Sequence, residues 1–323
     1  MDFLTNLGQT SPYPLLIEVD RAEGIFIYDK QGNAYADLIS GIAVSSLGHG
    51  HPRIKKAIHD QVERHLHVMV YGEFIQDAQM EFARELNKIL PDSLQAVYPV
   101  NSGTEANEAA MKLVKRVTGR SEIIAFKGSY HGSTHGSMSI SYNELKKTKY
   151  RPLVPGIRFI SLNQERELEQ ITEATAGVIL ETIQGDAGVR IPDSSYLQAL
   201  RARCNEVGAL LVFDEIQCGL GRAGANFAFE QFNVIPDVLT LGKSLGGGLP
   251  IGALVTSTEH MAVFKENPML GHITTFGGHP VVCASAAAFL KVLTTEIDYS
   301  ILPKIAAIFH DVLIAHPEVK EIR

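Results

Sequence analysis

Short apolar runs alternate with helical patterns through most of this chain, beginning near Leu94. The runs fall at residues 96–100, 122–126, 156–160, 177–181, 209–215, 237–242 and 252–257. Helical patterns fit between most of them, at 104–117 and 195–207, and another follows the last run at 278–294. Runs that are apolar on both faces and separated by helices predict an α/β architecture, a largely parallel seven-stranded sheet between helices.

Ahead of this region the rhythm differs. The residues up to Pro14 are rich in turn formers, and residues 24–40 read as a hairpin. In that hairpin, apolar and aromatic runs flank the turn chemistry of Asp29-Lys30-Gln31-Gly32-Asn33. Pro52 opens a helix whose Ile54, Ile58, Val62 and Leu66 recur every four residues and predict its buried face. A second helix is expected over 76–90, stopped by Pro91, and a last one over 302–315. The chain shows no internal repeat and no low-complexity segment.

Composition narrows the function classes. The net charge of −7 gives no support for nucleic acid or an anionic membrane surface as partner, because both require positive charge. Cys204, Cys218 and Cys283 lie far apart with no CxxC pair, so neither a metal site nor a disulfide framework is indicated. The N-terminus lacks a basic region followed by an apolar run, and no stretch approaches a span of about 20 apolar residues. The expectation is a cytoplasmic protein.

Open parallel sheets bind ligands outside the carboxyl ends of their strands, and the unusual polar residues gather there. Asn101-Ser102-Gly103-Thr104-Glu105 follows the first run and opens a helix. Small residues, free N–H groups and the Ser102 and Thr104 hydroxyls suit a phosphate, and they suit a plain helix cap equally well. Tyr130, in Gly128-Ser129-Tyr130-His131-Gly132, reads as a platform for a planar ligand or as an ordinary loop tyrosine. Asp214 ends a very apolar strand, where a carboxylate is costly unless paired. A protonated pyridine nitrogen is a suitable partner. A Mg²⁺-binding Asp-Glu pair is the alternative, but the GxxxxGK[ST] loop that it requires is missing. Lys243 follows the next run and precedes Gly246-Gly247-Gly248. It reads as a surface lysine or as a nucleophile activated by desolvation.

Together these elements make a complete set for pyridoxal 5'-phosphate, and the chain resembles the class-III pyridoxal-phosphate aminotransferases. This fold-type-I group includes acetylornithine, ornithine and 4-aminobutyrate aminotransferases. The matching stretches are LISGIAVSSLGHGHP, NSGTEANEAAMKLVKR, YHGSTHG, ETIQGDAGV, LLVFDEIQCGLGRAG, PDVLTLGKSLGGGLPIGA and HITTFGGHP, which span nearly the whole chain. The resemblance implies that Ser102, Gly103 and Thr104 hold the cofactor phosphate and that Tyr130 stacks on the ring. It implies that Asp214 pairs with the ring nitrogen, that Gln217 lies near the ring hydroxyl and that Glu181 lies near the cofactor. Lys243 would carry the cofactor as a Schiff base and move the proton, as base and then acid. Thr275 would reach the phosphate of a neighbouring subunit, which implies a homodimer with shared active sites. His131, Ser133 and Asp186 are the candidate substrate contacts. The implied domains are 1–45, an N-terminal segment with the hairpin and part of a small domain; 46–295, the large cofactor-binding domain; and 296–323, the start of a C-terminal small domain whose remainder is missing.

Three departures bear on the substrate. Ser133 stands where the family usually has an arginine that grips a carboxylate, and Gln184-Gly185-Asp186 stands where it commonly has QGE. The chain is also shorter than the family's, ending before a C-terminal arginine that binds substrate. The expected reaction moves an amino group from an ω-amino acid or acetylornithine-like donor to an oxo acid such as 2-oxoglutarate. The alternatives are another class-III chemistry, an aminomutase or a decarboxylating transaminase, and a non-catalytic family member. A non-catalytic member would be expected to lose Lys243 or Asp214, and both remain.

Overall fold

The computed structural model describes residues 2–323, and its ten strands form two sheets among the described residues. The smaller sheet is antiparallel and contains β1 (Val19–Glu23), β2 (Phe26–Asp29) and β3 (Ala34–Ala36). The expected hairpin is β2–β3. Asp29 shapes its turn, accepting from Gln31 N at 3.0 Å and from Asn33 N at 2.8 Å. The larger sheet contains β4 (Ala96–Val100), β5 (Glu122–Phe126), β6 (Ile157–Ile160), β7 (Thr175–Glu181), β8 (Leu210–Asp214), β9 (Val238–Leu241) and β10 (Gly252–Thr256). Their spatial order is β4-β10-β9-β8-β7-β5-β6.

Every apolar run predicted as a strand is one, within two residues at each end. The sheet is mixed, however, because β10 runs antiparallel to both β4 and β9. A parallel pair needs a crossover of a dozen or more residues. The short link from β9 to β10 holds one 3₁₀ turn (Lys243–Gly246), so the chain reverses.

Six helices exceed ten residues among the described residues: α1 (Pro52–Arg64), α2 (Asp77–Asn87), α3 (Gly103–Thr118), α4 (Ser194–Val207), α5 (Pro280–Glu296) and α6 (Leu302–Ile314). Alternate residues of each strand serve opposite cores. Ile123, Ile179, Val212 and Leu254 pack with Ala109, Leu113 and Val114 of α3 on one face. Ile124, Leu180, Phe213 and Leu241 pack with residues of α2, α4 and α5 on the other, among them Phe82, Leu86, Leu197, Phe289 and Leu290. Two buried faces are the reason that these strands read as unbroken apolar runs.

The expected buried face of α1 needs correction. Ile54 is buried and Ile58 packs against the core, but Val62 is 43% and Leu66 59% exposed. The helix ends at Arg64 and His65 is extended, so Leu66 leaves the stripe altogether. Gln61 is buried instead, its amide donating to His65 O at 3.1 Å. Among the described residues no single helix is long and apolar enough to cross a membrane.

Gly252 shows how tightly the sheet is built beneath the start of α3. A Cβ there would stand 2.2 Å from the Ser102 carbonyl oxygen. Gly252→Ala is therefore expected to destabilise the protein by roughly 2 kcal/mol, the usual cost of overpacking. Urea unfolding with wild-type stability would contradict this packing.

Candidate active site

The carboxyl ends of β7, β8 and β9 lie side by side, with Glu181 and Asp214 in register at the ends of β7 and β8. Lys243 follows β9, and α3 starts just beyond β4. These ends enclose a cavity of about 270 Å³ lined by Gly103, Thr104, Tyr130, Glu181, Asp214, Gln217 and Lys243, with His131, Gly132, Ser133 and Ile216 completing it. Residues more than a hundred positions apart in sequence meet here because each closes a strand of the same sheet.

The phosphate candidates sit at the N-terminus of α3. The Ser102 hydroxyl caps the helix, accepting from Glu105 N at 3.3 Å. The Glu105 carboxylate reaches back to Asn101 N at 2.6 Å. The capping alternative is thus realised for the Ser102 side chain. The amide N–H groups of Gly103 and Thr104 find no acceptor among the described residues and remain free. The Thr104 hydroxyl joins a cluster, 2.5 Å from Ser137 Oγ and 2.9 Å from Thr134 Oγ1. Close approach is essential at this point. A Cβ on Gly103 would stand 2.8 Å from Ile216, and one on Gly132, at φ 132°, would stand 2.3 Å from Thr104 Oγ1.

Asp214 is only 3% exposed, and its lone pairs are nearly all accounted for. Oδ2 accepts from Asn107 Nδ2 at 2.8 Å and lies 2.7 Å from His131 Nδ1, and Oδ1 accepts from Ile216 N at 3.0 Å. Asn107 is itself fixed, with Nδ2 also donating to His131 O at 2.8 Å and Oδ1 accepting from Thr240 at 2.9 Å. Burial works to lower the His131 pKa, but the bond to Asp214 and the charges of Asp214 and Glu181 raise it on balance. His131 Nε2 is buried without a partner among the described residues. His131, a candidate substrate contact, lines the cavity from within the wall. Its side chain has no exposed surface and serves Asp214.

Lys243 adopts φ 46°, a left-handed conformation that lysine rarely takes. Its Nζ donates to Gln217 Oε1. Burial lowers its pKa, against the charges of Asp214 and Glu181. Burial also lifts the Glu181 pKa to about 7, while its carboxylate accepts from Tyr130 N at 2.8 Å. That bond fixes the Tyr130 backbone, and the ring stands at the cavity wall, 40% exposed. Asp186 and Thr275 lie outside this cavity. Asp186 is exposed and lines a neighbouring one, and Thr275 is exposed on the segment after β10.

The residues present fit pyridoxal phosphate. Free N–H groups at a glycine-lined helix start meet a phosphate. An aspartate with three donors keeps one acceptor position for a protonated ring nitrogen. A desolvated lysine faces the same space. Sequence reasoning missed Asn107. Its one signal was an amide on the otherwise small and apolar inner face of α3.

A sheet edge equipped in this way defines an enzyme of the fold-type-I pyridoxal-phosphate class, and comparison with known proteins makes the family specific. Residues 8–323 match the family model described as aminotransferase class-III. An acetylornithine aminotransferase of Methanopyrus kandleri is 41% identical over 275 residues, covering 85% of this chain and 69% of the relative. A LysW-aminoadipate semialdehyde/glutamate semialdehyde transaminase of Sulfurisphaera tokodaii is 39% identical over 280 residues, covering 87% and 71%. The solved ornithine aminotransferase of Toxoplasma gondii ME49 superposes with a TM-score of 0.90 at 30% identity, covering 99% of this chain and 78% of that one. The chain belongs to the class-III aminotransferase family and is a pyridoxal-phosphate-dependent transaminase.

Two predictions follow from the buried polar groups. Asn107→Ala leaves His131 O unpaired and Asp214 one donor short. Equilibrium dialysis should show pyridoxal phosphate held about tenfold less tightly, the scale of a lost hydrogen bond to a charged group; wild-type retention would count against the network. The second concerns Glu215, fully buried and bonded to Ala228 N and Phe229 N at 2.7 Å each. Burial lifts its pKa to about 7, above the value of an unfolded chain. Its stabilising contribution is therefore complete below about pH 4.5 and lost as pH rises through 7, on the order of 3 kcal/mol. Glu215→Gln should flatten the fall in unfolding free energy between pH 5 and pH 8, and a slope equal to wild type would refute the assignment.

Proposed function

We propose that this transaminase moves an amino group from an ω-amino acid or acetylornithine-like donor to a 2-oxo acid such as 2-oxoglutarate. The carrying observation is the single cavity that joins Lys243 to Asp214. The donor class is supported by the names of the relatives, acetylornithine and ornithine aminotransferases among them.

In this reading the Gly103 and Thr104 amides, ordered by the Ser102 cap, hold the cofactor phosphate. Tyr130 would stack on the ring, Asp214 would pair with the ring nitrogen, Gln217 would lie by the ring hydroxyl and Glu181 would stand near the cofactor. Pyridoxal phosphate, when bound, supplies an electron sink for the charge developing on the donor carbon. Asn107 and His131 hold Asp214 in place, so that its charge is oriented before substrate arrives. Lys243 Nζ would take the proton from the donor carbon and pass it to the cofactor side rather than back to that carbon, as base and then acid. Desolvation suits it to that task by favouring the neutral amine.

The reading extends to assembly. Thr275 lies on a segment tethered to β4, where Tyr98 donates to His272 O at 2.9 Å and Asn101 donates to Thr274 at 2.8 Å. From there Thr275 serves the phosphate of a second subunit in a homodimer with shared active sites. Exposed Ile75, Met269, Ile273 and Phe276 supply apolar surface for that contact. Residues 46–295 form the large domain, and residues 1–45 and 296–323 belong with the small domain. Buried free thiols support a cytoplasmic location.

An absorbance spectrum tests the central reading. Protein supplied with cofactor should show a visible band that is lost on adding an ω-amino donor, and Lys243→Ala should abolish the band. A cofactor-supplied protein with no visible band, indifferent to Lys243→Ala, would overturn it.

A further inference from the structure

A second cavity, of about 470 Å³, adjoins the first, and Tyr130, Gly132 and Ser133 line both. Two of the four charges on its lining are already paired. Lys147 is buried, donating to Ser141 O at 2.8 Å and pairing with Glu144 at 3.0 Å. Glu144 is held a second time by Arg151 at 2.6 Å. Lys146 differs. It is exposed, its Nζ lies 5.8 Å from the centre of the Tyr130 ring, and it makes no ion pair among the described residues. Asp186, on the same lining, likewise has none, so the cavity carries one free charge of each sign.

The wall between the cavities cannot grip an anion strongly. Ser133 Oγ lies 3.1 Å from the Tyr130 hydroxyl, and a serine gives neither charge nor a bidentate fork. No arginine lines either cavity. A donor that reacts through a terminal amine carries its carboxylate several bonds from that amine. With the amine at Lys243, such a chain can leave the first cavity past Tyr130 and Ser133, and the free cation waiting there is Lys146.

Resting on the transaminase reading above, we propose that Lys146 is a specificity-determining residue, binding the carboxylate at the far end of the donor chain in the second cavity. Lysine acts here as a flexible point charge, which suits an exposed rim. The contact selects for chain length, because a carboxylate adjacent to the reacting amine stays in the first cavity.

The test uses the cofactor-loaded enzyme and reads the loss of its visible band with two amines of equal chain length, 4-aminobutyrate and butylamine. In wild type the carboxylate donor should have the lower apparent dissociation constant, an advantage that shrinks with added salt. Lys146→Met should reduce the ratio of the two constants about threefold to fivefold, the upper end for one solvent-screened ion pair. Lys146→Arg should preserve it, and adding Ser133→Arg to Lys146→Met should restore it. A ratio in Lys146→Met equal to that of wild type overturns the inference while the reaction itself stands. A wild-type band that no amine removes overturns the transaminase reading, and this inference with it.

Discussion

Burying a carboxylate at the end of a central strand is the constraint around which the other parts of this protein arrange themselves. Asp214 closes β8, flanked by β7 and β9 and almost fully removed from water. An isolated charge there would be prohibitive. Its donors come from three different places: Asn107 from near the start of α3, His131 from the loop after β5, and Ile216 from its own strand end. Thr240 on β9 then locks Asn107 from behind. One buried group thus fixes the position of α3 on the sheet, the path of the loop that carries Tyr130, and the rotamer of the amide between them. Such a network is costly if half satisfied and rigid if complete. It is satisfied here except at His131 Nε2 and at the one acceptor position that Asp214 keeps free.

The same constraint explains what the amino-acid sequence revealed and what it hid. The strands were legible because each faces two cores, so both side-chain registers had to be apolar. Asp214 and Lys243 were legible because they interrupt or follow those runs with charges that have no business in a core. Asn107 was obscured because helical spacing places it among small residues, and only the folded sheet shows that its amide meets a carboxylate over a hundred residues away. His131 was visible in its motif but its direction was not. Only the folded chain shows that its Nδ1 meets Asp214. The reversed β10 depended on the connection rather than the strand, since an apolar run looks the same in either direction. On α1, periodicity extended the buried stripe to Leu66, whereas the helix ends two residues earlier.

Rigidity is unevenly distributed across the site, and the division has a chemical logic. The groups aimed at the cofactor are buried, multiply bonded or held by helix and strand ends, as electrostatic preorganisation requires. Lys243 is the exception that must move. It sits in a strained left-handed turn between Gly242 and a glycine run, with its amine bonded to Gln217. A lysine that both anchors a ligand and carries a proton needs that freedom.

In the reading proposed above, recognition of the rest of the substrate falls to a softer layer. Ser133, Lys146 and Asp186 are on loops or short turns and are exposed or partly so. A change among them alters which chain length or charge is accepted without disturbing the carboxylate network behind. Ser133 shows the independence of the two layers. It stands at a position where an arginine would fork onto a carboxylate, yet the Asp214 network, the α3 cap and the strand register are intact around it. On the proposed reading, the reaction type is therefore a property of the carboxyl ends of the central strands, and the substrate is a property of the loops that lean over them.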